Sequence, residues 1–106
     1  MKTIKVSDRY PCPGPRYIHL GPSSGEDFKN WIKKELERDK DLTVDLDGTE
    51  GYGSSFLEEA FGGLIRDGID ANIVRNIKLI SDEEPELIEE INEYIEDEAE
   101  KQEGQE

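Results

Sequence analysis

The sequence predicts a single α/β domain: a mixed sheet of about four strands packed with about three helices, in the order β-β-α-β-α-β-α. Three observations carry this. Short β-branched runs alternate with stretches whose apolar residues recur at helical spacing. Glycine and proline clusters separate the two kinds of segment. The chain has 106 residues of which 33% are apolar, enough for one small core that must use nearly all of them. Strands alternating with amphipathic helices then favour right-handed crossovers.

The elements follow in order. Residues Ile4 to Ser7 (IKVS) read as an opening or edge strand. PCPGP forces a stiff loop, since its prolines remove donors and Gly14 frees the backbone. Tyr17, Ile18, His19 and Leu20 read as a second strand, ended by Gly21 and Pro22. Two capping-box spacings, Ser23 with Glu26 and Ser24 with Asp27, open the first helix. Its stripe is Phe28, Trp31, Ile32 and Leu36, with Lys29, Lys33 and Glu37 expected on the solvent side.

Leu42, Val44 and Leu46 alternate with polar residues as a strand closed by Gly48. Phe56, Leu57, Ala60, Phe61, Leu64 and Ile65 mark a second helix with a wide apolar stripe. Gly62 and Gly63 inside it each cost about 1 kcal/mol relative to Ala, which points to a close approach there. The segment IDANIVRN reads as a connection with room for a helical turn, and Ile77 to Ile80 as a further strand. SDEEP starts the third helix, with Pro85 in its first turn and Leu87, Ile88, Ile91, Tyr94 and Ile95 at helical spacing. Residues 1–99 form the expected domain, and residues 100–106 an acidic tail expected to be disordered.

Charge excludes several functions. The net charge is −14, and residues 81–106 hold 13 acids against Lys101 alone, so no basic face exists for nucleic acid or an anionic membrane. No stretch approaches the apolar length of a membrane span and MKTIKVSDRY lacks a signal-peptide pattern, so a cytoplasmic location is expected. Cys12 has no partner for a disulfide, and Cys12 with His19 is too few ligands for a metal site. There is no GxGxxG turn and no P-loop, so no cofactor is expected.

The stretch GYGSSFLEE, from Gly51 to Glu59, places two serines where a strand hands over to a helix. Ser55 lies three residues before Glu58, the spacing of a capping box. The same hydroxyl, flanked by Gly51 and Gly53, suits a phosphorylation site whose added charge the helix N-terminus would stabilise. A nucleophilic serine has little support, because the motif is not GxSxG and the sole His19 stands on another element.

These residues carry a resemblance. VDLDGTEGYGSSFLEEAFGGLI resembles the central strand-turn-helix of the STAS domains of anti-sigma factor antagonists, whose pattern runs approximately DLSGVxxIDSSGLGxLL. Asp45, Leu46, Gly48, Ser54, Ser55 and Leu57 match it, and Ser55 falls on the serine that partner kinases phosphorylate. Gly53 stands where those proteins have an acid, and Phe56 where they have glycine. The chain is also similar to a STAS-like prokaryotic family of unsettled function, in GPRYIHLGPSSGEDF (Gly14 to Phe28) and DLDGTEGYGSSFLEEAFGGLIR (Asp45 to Arg66), over roughly residues 4–80.

The resemblance implies a STAS-like fold with no known reaction and, as partner, a histidine-kinase-like ATPase. The reading is a non-enzymatic regulatory module that binds a protein through Asp47, Gly51, Tyr52, Gly53, Ser54, Ser55 and Glu58. Arg16, Ser24 and Glu26 form a second motif that can share this surface. One rival is a sensor of an anionic metabolite or nucleotide, or a weak enzyme, using the same turn. Another is a structural subunit whose acidic third helix docks a basic protein.

Overall fold

The computed structural model describes residues 2–103 of the chain. Three strands form one sheet in the order β1-β2-β3, where β1 is Lys2–Lys5, β2 is Leu42–Asp45 and β3 is Lys78–Ile80. Both pairings are parallel, with Ile4 beside Val44 and Val44 beside Leu79. Four helices connect and cover them: α1 over Gly25–Arg38, α2 over residues 54–66, α3 over Ala71–Arg75 and α4 over Glu86–Glu103.

Two expectations about the sheet are corrected. Tyr17 to Leu20 is not a strand: Ile18–Leu20 is a single 3-10 turn, closed by Leu20 N–H donating to the Tyr17 carbonyl at 3.0 Å. Its side chains face solvent, with Leu20 61% exposed, so this apolar run has no core to enter and no strand to pair with. His19 accordingly stacks on Tyr17 in that turn, with ring centroids 5.7 Å apart. Without an antiparallel second strand the sheet is parallel rather than mixed, and among the described residues it has three strands. The opening strand also lies earlier than expected, because Val6–Asp8 turns into a 3-10 helix.

Alternation along the strands separates two faces. Ile4, Leu42 and Val44 are buried on one, with Leu79 beside them. Thr3, Lys5, Asp45, Lys78 and Ile80 occupy the other and are all at least partly exposed, while Thr43, between Thr3 and Lys78, is buried. The polar character of this second face lets a parallel sheet meet water, which such sheets seldom do.

The core centres on α2. Phe56, Leu57, Ala60, Phe61 and Leu64 are fully buried, and the middle of this helix lies between α1 and α4. Phe28 of α1 stacks on Phe56 with ring centroids 5.6 Å apart and meets Phe61 edge-on, so the apolar stripes of the two helices interlock. The helix opens as α over Ser54–Leu57, widens to a π turn over Glu58–Gly62 and closes as α over Gly63–Arg66. Gly62 and Gly63, poor helix formers, sit at the end of the widened turn.

Two further details depart from the sequence reading. Lys29 was expected on the solvent side of α1 but is buried, since α2 packs over it and supplies a carboxylate partner. The connection after Gly68 contains α3, capped by Asp70, whose carboxylate accepts from Asn72 N–H at 2.8 Å. At the other end of the chain α4 runs on through residues 100–103 with Lys101 and Gln102 exposed, and residues 104–106 of the expected tail lie outside the described residues.

Candidate functional site

The junction of strand β2 and helix α2 is built from backbone hydrogen bonds to the proline-rich loop. Pro11 and Pro13 lack N–H groups but keep their carbonyls, which accept from Glu50 N–H at 3.0 Å and Gly53 N–H at 3.2 Å. Pro15 and Arg16 accept from Gly25 and Glu26 N–H, both at 2.9 Å, satisfying the first donors of α1. One loop thus joins the N-termini of both helices. Absence of a Cβ at Gly25 and Gly53 permits this: an added Cβ would meet the Phe56 backbone at the first and lie 2.8 Å from the Gly14 carbonyl oxygen at the second.

The cap of α2 differs from the sequence reading. Gly53 is the N-cap residue and offers no side chain, while Ser54 and Ser55 are the first helical residues and are exposed. Ser55 and Glu58 form no capping box, because Glu58 turns away to two arginines. The equivalent box in α1 has its cap: buried Ser24 accepts from Asp27 N–H at 3.1 Å. Ser23 is not part of one, and Glu26 instead accepts from Ile18 N–H at 2.9 Å, pinning the Tyr17–Leu20 turn.

Asp47 and Tyr52 hold the loop together. The Asp47 carboxylate accepts from the N–H groups of Asp82 at 3.1 Å and Glu83 at 3.0 Å, fastening the end of β2 to the turn before α4. The Tyr52 hydroxyl donates to the Leu46 carbonyl at 2.6 Å, and burial pushes its ionisation well above the usual tyrosine range. Gly51 has φ 142°, a conformation that suits glycine in this turn.

One turn along α2 from the serines lies a network of charges. Arg16 donates to both Glu58 and Glu59, and Arg66 reaches the same two carboxylates at 2.7 and 3.1 Å and Glu98 of α4 at 2.6 Å. Lys29 completes it, 3.0 Å from Glu59 and 2.9 Å from Asp67, and Lys33 also bonds Asp67 at 3.2 Å. The hydrogen bond from Arg66, with that from Arg16, holds the Glu58 carboxyl down to about 2 against the opposing effect of burial. Burial draws the Lys29 ammonium down, but its bonds to Asp67 and Glu59 outweigh this and raise it. Glu59 and Glu98 are nearly inaccessible, so the network supplies the pairing that buried carboxylates need.

The fold therefore brings Arg16 of the second motif to Glu58 of the first, with Ser24 and Glu26 on the loop side of the same junction. Asp47 is spent on the turn before α4. Sequence reasoning missed Lys29, Glu59, Arg66 and Glu98. The signal available was a charge inside an apolar stripe, as with Glu59 between Leu57 and Phe61, together with the seven-residue spacing of Glu59 and Arg66 on one helical face.

A family model described as a STAS-like domain of unknown function matches residues 24–87, and the chain belongs to this family. No curated protein and no solved structure matches the chain. No helix among the described residues is long and apolar enough to cross a membrane.

Proposed function

We propose that this chain is a non-enzymatic, cytoplasmic regulatory module that docks a protein partner on the first turn of α2 and the adjoining Tyr17–Leu20 turn. One observation carries the reading. Ser54 and Ser55 are exposed and unused as caps, and Arg16 of α2's charge network leads directly into a turn bearing Tyr17, Ile18 and Leu20, three large exposed apolar side chains. Exposed apolar groups beside a polar rim are the composition of a docking surface.

Phosphorylation of Ser55 would regulate this face. A phosphate adds close to two negative charges at a helix N-terminus, where the backbone dipole favours it. It would also stand one turn from Glu58 and Glu59 and compete with them for Arg16, loosening the turn that follows. The likeness of Ser55 to the modified serine of STAS domains makes a histidine-kinase-like ATPase the first partner class to test.

The test is binding of such an ATPase from the same cell to the wild type and to the Ser55→Ala, Ser55→Asp and Leu20→Ser variants. Ser55→Asp and Ser55→Ala should shift affinity in opposite directions, and Leu20→Ser should weaken binding without lowering the melting temperature. Equal binding by all four proteins would reject the docking face.

A further inference from the structure

A second site lies on the outer side of α1, away from the serines. Trp31, Lys34, Glu35 and Arg38 line one wall of a cleft of about 190 Å³, and Arg9, from the connection after β1, closes it from the other side. Two contacts position the Trp31 ring. The Arg9 guanidinium lies over the Trp31 ring at 4.0 Å, and Tyr10 beneath packs edge-on against the same ring with centroids 6.1 Å apart.

The two carboxylates at the cleft are each hydrogen-bonded to an uncharged donor and keep their charge. Asp27 accepts from the Tyr10 hydroxyl, and Glu35 accepts from the Trp31 indole N–H at 3.2 Å. Lys34 and Arg38 make no ion pair among the described residues, whereas Arg16, Lys29, Lys33 and Arg66 all do. They stand four apart on one helical face, a spacing at which like charges repel, and Arg9 adds a third positive charge across the cleft. Three cations against two carboxylates give the cleft a net positive charge in a chain with 27 acids and 13 bases, and a bound anion would offset it.

We infer that this cleft binds a compact phosphate-type anion, held by the guanidinium groups of Arg9 and Arg38 and the ammonium of Lys34. Guanidinium forks match tetrahedral oxyanions two oxygens at a time, and the lysine adds a point charge. The volume suits a phosphate or a small phosphate monoester.

The chain contains a single tryptophan, so the Trp31 indole N–H gives one NMR signal that reports on the cleft directly. Inorganic phosphate, glycerol phosphate and succinate are titrated at constant ionic strength against the full chain. A saturable shift with either phosphate compound is expected, and the tighter of the two identifies free phosphate or a phosphorylated metabolite as the source. The Lys34→Ala/Arg38→Ala double variant should bind at least roughly tenfold more weakly, while Lys2→Ala/Lys78→Ala on the sheet should bind as the wild type does. A shift that never saturates, one that survives the cleft double variant, or equal binding of succinate would overturn the assignment.

Discussion

Arg16 and Glu58 stand 42 positions apart in the chain and hydrogen-bond directly, joining the proline-rich loop to the middle of α2. Because Arg66 and Glu59 share the same bonds, the contact is one member of a network rather than an isolated surface pair. The loop's position thus depends on charges carried by a distant helix.

Replacing Arg16 with Ala should lower stability by only about 1–2 kcal/mol, because Arg66 still satisfies Glu58. The local effect should be larger. Hydrogen exchange at the Gly25 and Gly53 amides, which donate to Pro15 and Pro13, is expected to accelerate together. Unchanged exchange would mean that the backbone bonds alone hold the loop.

Acid should weaken the fold through Glu58. Its folded pKa, about 2, lies below the ordinary glutamate value, so its contribution is present above about pH 4.5 and is lost as the pH falls toward 2. Asp67, lowered by Lys29 and Lys33 against the effect of its burial, acts in the same direction. Partial exposure screens the effect to about 1–2 kcal/mol. Melting temperatures between pH 7 and 2 should fall less steeply for Glu58→Gln than for the wild type, and parallel curves would contradict the role of this carboxylate.

Gly25→Ala should destabilise far more than Gly68→Ala. A methyl group at Gly25 would lie 3.0 Å from the Phe56 carbonyl carbon and nearer still to its oxygen, and neither backbone can yield cheaply. A loss of about 2–3 kcal/mol is expected. Gly68, with φ 101° and open space around it, carries only the left-handed strain of about 1 kcal/mol. Thermal denaturation followed by circular dichroism separates the two.

The two serine motifs should respond unequally in stability. Ser24→Ala removes a buried cap and should cost about 1–2 kcal/mol. Ser55→Ala removes an exposed hydroxyl that caps nothing, so a change within about 0.5 kcal/mol is expected. Equal losses in urea denaturation would restore the capping role to Ser55.

Local patterns made much of this fold legible. The stripe of Phe28, Ile32 and Leu36, the cap at Ser24, the alternation through Leu42 and Val44 and the stripe from Phe56 to Ile65 all report contacts within one element and the side it buries. The strand before α4 and the spacing of Leu87, Ile91 and Ile95 were legible for the same reason. Of the candidate site, the sequence marked Ser54, Ser55, Glu58 and Arg16 as residues of interest.

Tertiary structure decided the rest. Tyr17 to Leu20 has the chemistry of a strand, but a strand needs a neighbour, and chain chemistry alone does not say whether one is present. Ser55 and Glu58 have the spacing of a cap, yet Glu58 had a stronger alternative in Arg16 and Arg66, one from another element and one two turns further along its own helix. Lys29 and Glu59 became buried partners only because α1 and α2 pack together. Periodicity is a property of one segment and can be read along it, whereas the choice between competing hydrogen-bond and charge partners is settled only when distant segments meet.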